Sequence, residues 1–109
     1  MTLDKFTTKS AEALQQAARI SQEHGNQATD SLHLLRAILD QKEGLAASLF
    51  PYLNVAVPAL AAQVDEAIDR LPRVSGSTPV GQLLISEDLG TVIRKAEDEM
   101  NALKDEYIS

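Results

Sequence analysis

Two histidines and several acidic runs are the side chains of this sequence that could support catalysis or metal binding. His24 and His33 stand nine positions apart on different predicted helices, and the chain of 109 residues contains no cysteine. A zinc site needs three or four nitrogen, sulfur or carboxylate ligands brought together, and no such spacing surrounds either histidine. A nucleophile, a base and an orienting group cannot be assigned as a catalytic set either. We expect no catalytic chemistry; His33 is predicted to hydrogen-bond within the first turn of a helix, and His24 to lie near a helix C-terminus.

A phosphate-binding loop is a second kind of site that the sequence does not offer. The segment from Gly76 to Gly81 is rich in turn-forming residues but contains no Gly-Lys-Ser or Gly-Lys-Thr, the pattern with which a loop and its lysine hold nucleotide phosphates. The acidic runs Glu97-Asp98-Glu99 and Asp105-Glu106 are typical of solvated helix faces. We therefore expect neither a cofactor nor a metal in this domain.

Composition limits the classes of fold and partner. With 16 acidic and 10 basic side chains the net charge is -6, which would repel both nucleic acid and an anionic membrane surface. Apolar residues make up 44% and aromatic residues 4%, a balance typical of a folded domain rich in helix formers. No run of 18 apolar residues occurs, and Met1 to Lys5 lacks the basic start of a secretory signal. We expect an all-α domain in the cytoplasm, with no nucleic-acid or membrane partner.

Apolar and small residues in the first part of the chain recur at the three- and four-residue spacing of a helix face. The first helix is predicted from about Thr8 to His24, and Gly25-Asn26 supplies residues that tolerate the left-handed conformation at a helix end. Asp30-Ser31 forms a good N-cap pair for a second helix. Its apolar residues are so dense that most of its circumference must be buried: Leu32, Leu34, Leu35, Ile38 and Leu39.

Three further helices are predicted, the first of which contains a proline. Leu45 to Leu53 is typical of a short helix closed by Asn54, in which Pro51 removes a hydrogen bond and introduces a kink. Pro58 suits the first position of a fourth helix. Ser86, followed by two acidic residues, is an N-cap for a fifth helix. The apolar stripe of that helix comprises Leu89, Val92, Ile93, Ala96, Met100 and Leu103.

The chain divides at a segment whose composition favours turns. Residues 72–84 contain two prolines, two glycines and two serines, which predicts a linker. A first unit is expected over residues 1–71 and a second over residues 85–109. Because the second unit has only one predicted helix, it would lack the core helix that it needs.

The two units show a weak internal repeat. A shift of 79 positions superimposes Ala17 on Ala96 and the neighbouring apolar positions on one another. The same shift places Asp30, which begins the second helix, on Ser109. The first and fifth helices would therefore be equivalent, and a second repeat would be present only as its first helix.

Several motifs along the chain resemble the Clp N-terminal repeat domain, which is a pair of pseudo-symmetric four-helix units at the front of ring-forming AAA+ unfoldases. They are the run from Phe6 to Leu14, then His24-Gly25-Asn26-Gln27, and then His33-Leu34-Leu35 with Ala37-Ile38-Leu39. The segment from Leu71 to Gly76, with Leu-Pro-x-Val-x-Gly, is more similar to the ClpB branch of protein disaggregases than to the protease-linked branches. The final Tyr-Ile-Ser resembles a motif of the second repeat.

The resemblance implies a non-catalytic domain that captures exposed hydrophobic segments of unfolded or aggregated client proteins and delivers them to the pore of an ATPase ring. ATP would bind only in downstream domains of the parent chain. That parent is implied to form a homohexamer and to cooperate with a DnaK-type chaperone. The resemblance implies a hydrophobic groove at Ile93 and substrate contacts at Thr7 and Asp105. Leu89, on the same helix as Ile93, and Tyr107, at the rim of the groove, are predicted as further substrate-binding residues.

Each of these five residues also has a purely structural interpretation. Leu89 and Ile93 stand at stripe positions that are usually buried. Thr7 can serve as an N-cap, and Asp105 suits a turn. Tyr107 lies beside the start of a core helix in the repeat pattern, which favours burial. The residues alone leave both interpretations open.

Two other functions are compatible with the sequence. One is a docking platform for a folded adaptor protein, as in the unfoldases that feed a protease. The other is a structural bundle that pairs with a second copy, because without a partner helix the stripe of the fifth helix would be exposed and would need cover.

Overall fold

The computed structural model describes residues 8–42, 44–73 and 84–108. These ranges contain five helices and no strand: α1 (Thr8–Glu23), α2 (Ser31–Asp40), α3 (Leu45–Tyr52), α4 (Val57–Asp69) and α5 (Glu87–Ile108). The prediction of an all-α fold is confirmed. Residues 74–83, most of the predicted linker, lie outside the described ranges, so the division into two units stays a prediction.

α1 and α2 form an antiparallel pair in which small residues allow a close approach. The side-chain amide of Gln41, just after α2, donates to the carbonyl of Lys9 near the start of α1 at 2.8 Å. Ala17 on α1 has no exposed surface and Ala37 on α2 is 1% exposed. Both belong to the main core cluster, so the absence of larger side chains sets the spacing of the pair.

α2 is the central helix of the domain. Asp40 alone among its ten residues is exposed, which confirms that most of its circumference is covered. α1 covers one side of it and α4 another, with α3 at the edge. The buried residues of this main core come from three helices: Ala13, Ala17, Ile20, Ala37, Leu39, Val64 and Ile68.

A guanidinium group fixes α4 on α2. Arg36 donates through Nε to Asp65 of α4 and through Nη1 to Asp40, both at 2.7 Å. The hydrogen bond to Asp65 is the main cause that raises the pKa of Arg36. Because both carboxylates are about half exposed, each pair is expected to contribute on the order of 0.5 kcal/mol.

The ends of α3 and α4 differ by one residue from those predicted. α3 ends at Tyr52, with Pro51 in its last turn, and Asn54 adopts the left-handed conformation (φ 61°) as predicted. α4 begins at Val57, so Pro58 is its second residue and not its first. Proline is tolerated at either position, because N–H groups of the first helical turn have no partner within the helix.

Replacing Ala17 with leucine should lower the free energy of unfolding by about 1–3 kcal/mol, because the added carbons have no space between α1 and α2. The control is Ala96→Leu, at the equivalent repeat position of α5, where the side chain is exposed and the change should stay within about 0.5 kcal/mol. Urea unfolding followed by circular dichroism measures both values. Equal losses in the two variants would contradict the packing described.

Candidate functional site

α5 docks on the other helices through a second, smaller apolar cluster. Leu89 has no exposed surface and Ile93 is 6% exposed. Both pack with Leu14 of α1, and Leu34 and Ile85 complete the cluster. The expectation that the whole stripe of α5 would be exposed is therefore wrong for these two residues. The physical reason is that Leu14 belongs to this cluster and not to the main core, so α1 offers α5 a second apolar surface.

The opposite edge of the α5 stripe is open. Val92 is 44% exposed, and Ala96 is exposed as well. Their repeat equivalents, Ala13 and Ala17, are buried in the core beside α2. Within the described ranges, no helix covers Val92 and Ala96 in the way that α2 covers their equivalents.

The N-terminal ends of α2 and α5 share one carboxylate, that of Asp30. Its Oδ2 accepts from the backbone N–H of Leu32 at 3.2 Å, and its Oδ1 accepts from the hydroxyl of Ser86 at 2.7 Å. Ser86 Oγ in turn accepts from the N–H of Leu89 at 3.1 Å. Asp30 and Ser86 therefore cap α2 and α5, as predicted. Burial acts to raise the pKa of Asp30, but the hydrogen bonds that its carboxylate accepts prevail and lower it.

His33 is fully buried, and both of its ring nitrogens are hydrogen-bonded. Nδ1 accepts from the backbone N–H of Asp30 at 2.9 Å, so the proton lies on Nε2, which donates to Oδ1 of Asn26 at 2.8 Å. The Asn26 amide then donates to the carbonyl of Pro72 at 3.1 Å. Burial is the main cause that lowers the pKa of His33 below 6.5. The predicted hydrogen bond within the first turn of α2 is confirmed.

His24 lies just beyond the end of α1, as predicted. Its Nδ1 is 2.9 Å from the carbonyl oxygen of Ile20, and its Nε2 is 3.9 Å from Asp69 at the end of α4. Gly25 follows with φ 67°, a conformation that most residues avoid. The chain thereby turns from α1 into the loop of residues 24–30.

The loop of residues 24–30 holds both described ends of the connection from α4 to α5. At one end, Asn26 forms an isolated antiparallel bridge with Arg73. At the other end, the N–H of Thr29 donates to Leu84 at 2.7 Å and the N–H of Ser86 donates back to Thr29 at 2.9 Å. The position of the first turn of α5 therefore depends on this loop.

A groove of about 440 Å³ lies along the N-terminal half of α5. Its apolar residues are Ile85 and Ile93, and Gly90 contributes bare backbone between them. A Cβ atom built on Gly90 would meet only Arg94 Nη1, at 3.5 Å. The residues that line the groove are Ile85, Ser86, Glu87, Gly90, Ile93, Arg94 and Glu97.

Charges of both signs flank the apolar part of the groove. Glu87 and Glu97 supply carboxylates, and Arg94 supplies a guanidinium that donates through Nη2 to Thr91 at 3.2 Å. Arg94 forms no ion pair with another described residue. The groove thus combines an apolar centre with a charged rim.

The described residues offer no group of three or more metal-ligating side chains. The one hydroxyl that lines the groove, that of Ser86, donates to the Asp30 carboxylate and accepts from the N–H of Leu89, so its hydrogen bonds serve the helix caps. No helix in the same ranges is long and apolar enough to cross a membrane.

The structure brings one of the five predicted contact residues, Ile93, to the surface of the groove. Leu89 lies behind it in the buried cluster. Thr7 lies outside the described residues, and the side chains of Asp105 and Tyr107, which fall within α5, are also outside the described part. The roles of these residues stay predictions.

Of the seven residues that line the groove, the sequence predicted only Ile93 as a site residue, and those that it missed include Ile85, Gly90 and Arg94. Gly90 carries a usable signal, because a glycine inside an amphipathic helix costs up to about 1 kcal/mol relative to alanine and often marks a close approach. Ile85 and Arg94 carry no such signal in the sequence, because their positions in the groove depend on how the chain enters α5.

The family model of the Clp repeat (R) N-terminal domain matches residues 5–109. The chain is 39% identical over 109 residues to the chaperone protein ClpB of Porphyromonas gingivalis. The aligned region covers 100% of this chain and 12% of the relative. The chain is 36% identical over 110 residues to the chaperone protein ClpB of Bacillus cereus and to that of Nitratidesulfovibrio vulgaris, with 100% of this chain and 13% of each relative covered.

The match thus spans nearly all of this chain but only 12% or 13% of the length of these curated relatives. It includes both the α1–α4 part and α5, which carries the groove. The chain belongs to the Clp N-terminal repeat family and is a non-catalytic, all-α domain of the kind that ClpB chaperones carry at their N-terminal end.

Proposed function

We propose that this domain captures exposed apolar segments of unfolded or aggregated client proteins on behalf of an ATP-dependent disaggregating chaperone. The observation that carries the proposal is the groove beside α5, with isoleucines at its walls and charged side chains at its rim. Kinship with proteins named chaperone protein ClpB supports the same function.

The apolar walls of the groove favour unfolded over folded clients. A folded protein hides its large apolar side chains, whereas an unfolded segment presents them and gains about 25 cal/mol for each Å² that it buries. Ile85, which is half-buried, offers such area, Ile93 adds only the small part of its side chain that is exposed, and Gly90 leaves room for a client side chain near the backbone of α5. A groove of about 440 Å³ holds only a few side chains, so each contact is weak and release stays fast.

The small number of polar side chains in the groove favours the binding of many different client sequences. Specific pockets use convergent polar groups to fix one ligand, whereas here the only polar side chains are Ser86, which is already hydrogen-bonded, and the three charged residues of the rim. The proposed site therefore selects client segments that are apolar and exposed, and it does not select one particular sequence.

The five residues assigned from the family resemblance enter this proposal in different ways. We propose that Ile93 contacts clients directly and that Leu89, packed in the same cluster, fixes its position from behind. Thr7, Asp105 and Tyr107 are proposed as further contacts, on the resemblance alone.

The parent protein is proposed from family membership. We infer a homohexameric ring in the cytoplasm, which cooperates with a DnaK-type chaperone and binds ATP in domains downstream of this one. The domain itself would need no cofactor and would bind neither nucleic acid nor membrane.

Titration of isotope-labelled domain with a permanently unfolded, apolar client should shift the amide NMR signals of Gly90, Ile93 and Arg94, because these residues line the groove. The signals of α3, which contributes no residue to the groove, should stay unchanged. Shifts confined to α2 and α3 would contradict the site. Tight one-to-one binding of a folded adaptor, with no response to unfolded chains, would contradict the function.

Gly90→Leu should weaken client binding several-fold by filling the groove, without lowering the free energy of unfolding. The space above Gly90 is open except for the flexible end of Arg94, and a helix former in place of glycine favours the helix by up to about 1 kcal/mol. Fluorescence anisotropy of a labelled client, together with urea unfolding, separates the two effects.

The matched control for Gly90→Leu is Ala96→Leu, which adds a leucine to an exposed position of α5 outside the groove. This variant should bind clients as the unmodified domain does. Equal affinities for Gly90→Leu and the unmodified domain would refute the groove as the binding site.

A further inference from the structure

The docking of α5 rests on a hydrogen-bonded series with a buried histidine at its centre. From His33, one branch runs through Asn26 to the carbonyl of Pro72. The other runs through Asp30, whose N–H is bonded to His33 and whose carboxylate is bonded to Ser86. A single imidazole ring thus supports both described ends of the connection between α4 and α5.

This series works only with a neutral His33. Nδ1 must keep its lone pair to accept from the N–H of Asp30, while the proton stays on Nε2 and faces Asn26. A second proton would remove that acceptor, leave the Asp30 N–H unpaired and place a charge on a ring with no exposed surface. Protonation therefore opposes the geometry that holds Asp30.

The charged groups around His33 act in both directions. The Asp30 carboxylate favours the protonated ring, whereas His24 and burial oppose it, and burial is the largest of the three. No other charged side chain forms a hydrogen bond with the ring, because its two partners are Asp30 N–H and Asn26. The remaining charged residues of the helix ends and segments nearby are Arg36, Asp65, Asp69, Arg73, Glu87 and Asp88.

The weakest attachment to this series is that of α5. α2 is covered on most of its circumference by the main core, whereas α5 is held by the small cluster around Leu89 and Ile93, the hydrogen bond from Ser86 to Asp30, and the pairing of Thr29 with residues 84–86. When Asp30 shifts, Ser86 loses the carboxylate to which its hydroxyl donates, and the start of α5 loses that tether to the loop. α2 keeps most of its contacts.

We propose that protonation of His33 releases the N-terminal end of α5 from the loop of residues 24–30, so that the docking of α5 on the other helices depends on pH. The proposal concerns docking alone and holds whether or not the groove binds clients.

The direction of the pH dependence follows from the lowered pKa of His33. In the released form the exposed ring returns towards its ordinary pKa of 6.5. The docked form is therefore fully favoured above pH 6.5, and its advantage falls by at most about tenfold for each pH unit below that value. The pKa of the Asp30 carboxylate is lowered from 3.8, so protonation of Asp30 also disfavours the docked form, but only in solution more acidic than the range in which His33 titrates.

Hydrogen exchange followed by NMR tests the proposal on the unmodified domain, from about pH 7.5 to about pH 5, the range in which histidine titrates. After correction for intrinsic exchange rates, the protection of the amides of Thr29, Ser86 and Leu89 should fall as His33 titrates. The amides of α1 and α4 should keep theirs. The loss of protection should begin as the pH falls through 6.5, and ring NMR signals must show a pKa of His33 below that value in the unmodified domain.

Two histidine variants complete the test. His33→Gln keeps an acceptor for the Asp30 N–H, as glutamine does in a capping box, but cannot titrate; it should make the protection of Ser86 and Leu89 independent of pH in this range. His24→Gln should retain the pH dependence of the unmodified domain. Three results would each overturn the proposal. They are protection that does not depend on pH in the unmodified domain, an equal fall of protection in His33→Gln, and a simultaneous loss of protection in all helices.

Discussion

One carboxylate determines where two helices begin. Asp30 accepts hydrogen bonds from the first turn of α2 and from Ser86, which itself caps α5. A helix start has N–H groups without partners inside the helix, and here two such starts are satisfied within one connected set of side chains. No buried side-chain nitrogen or oxygen of the described residues lacks a hydrogen-bond partner. The groove beside α5 takes its place from this arrangement, because Ser86 is both part of the cap and part of the groove wall.

The apolar packing is divided between two clusters of unequal size. The main core joins α1, α2 and α4 around alanines that bring the helices close together. The smaller cluster attaches α5 through Leu89 and Ile93, and Leu34 contacts both clusters. α1 therefore serves as a wall between them, with Ala17 on one side and Leu14 on the other. Such a division lets α5 respond to local changes while the body of the domain keeps its form.

Local signals in the sequence predicted most of the helices and their ends. Asp30 and Ser86 were recognisable as caps because a short polar side chain before an apolar run satisfies free N–H groups wherever it occurs. Asn54 was recognisable because it tolerates the left-handed conformation that the structure gives it. These predictions succeed because the interactions involved span only a few residues.

Features that depend on distant parts of the chain could not be predicted in the same way. The spacing of Leu89 and Ile93 identified an apolar stripe, but not that Leu14 would cover it. The bond from Asn26 to Pro72 joins residues 46 positions apart, and no local pattern indicates it. The groove itself forms where the chain passes from Ile85 into α5, so apart from the stripe position of Ile93 only Gly90 gave a local signal of it. The site was thus predicted at one residue, Ile93, while its geometry required the fold.

The loop of residues 24–30 anchors the chain on both sides of residues 74–83. Asn26 is bridged to Arg73, and Thr29 is hydrogen-bonded to Leu84 and Ser86. Because both anchor points lie on the same short loop, insertions or deletions between them need not displace α5. Doubling the number of residues between two fixed points of a chain costs in general only about 0.6 kcal/mol in closure entropy. The position of α5 is therefore set by the anchor points at Arg73 and at residues 84–86 and not by the length of chain between them.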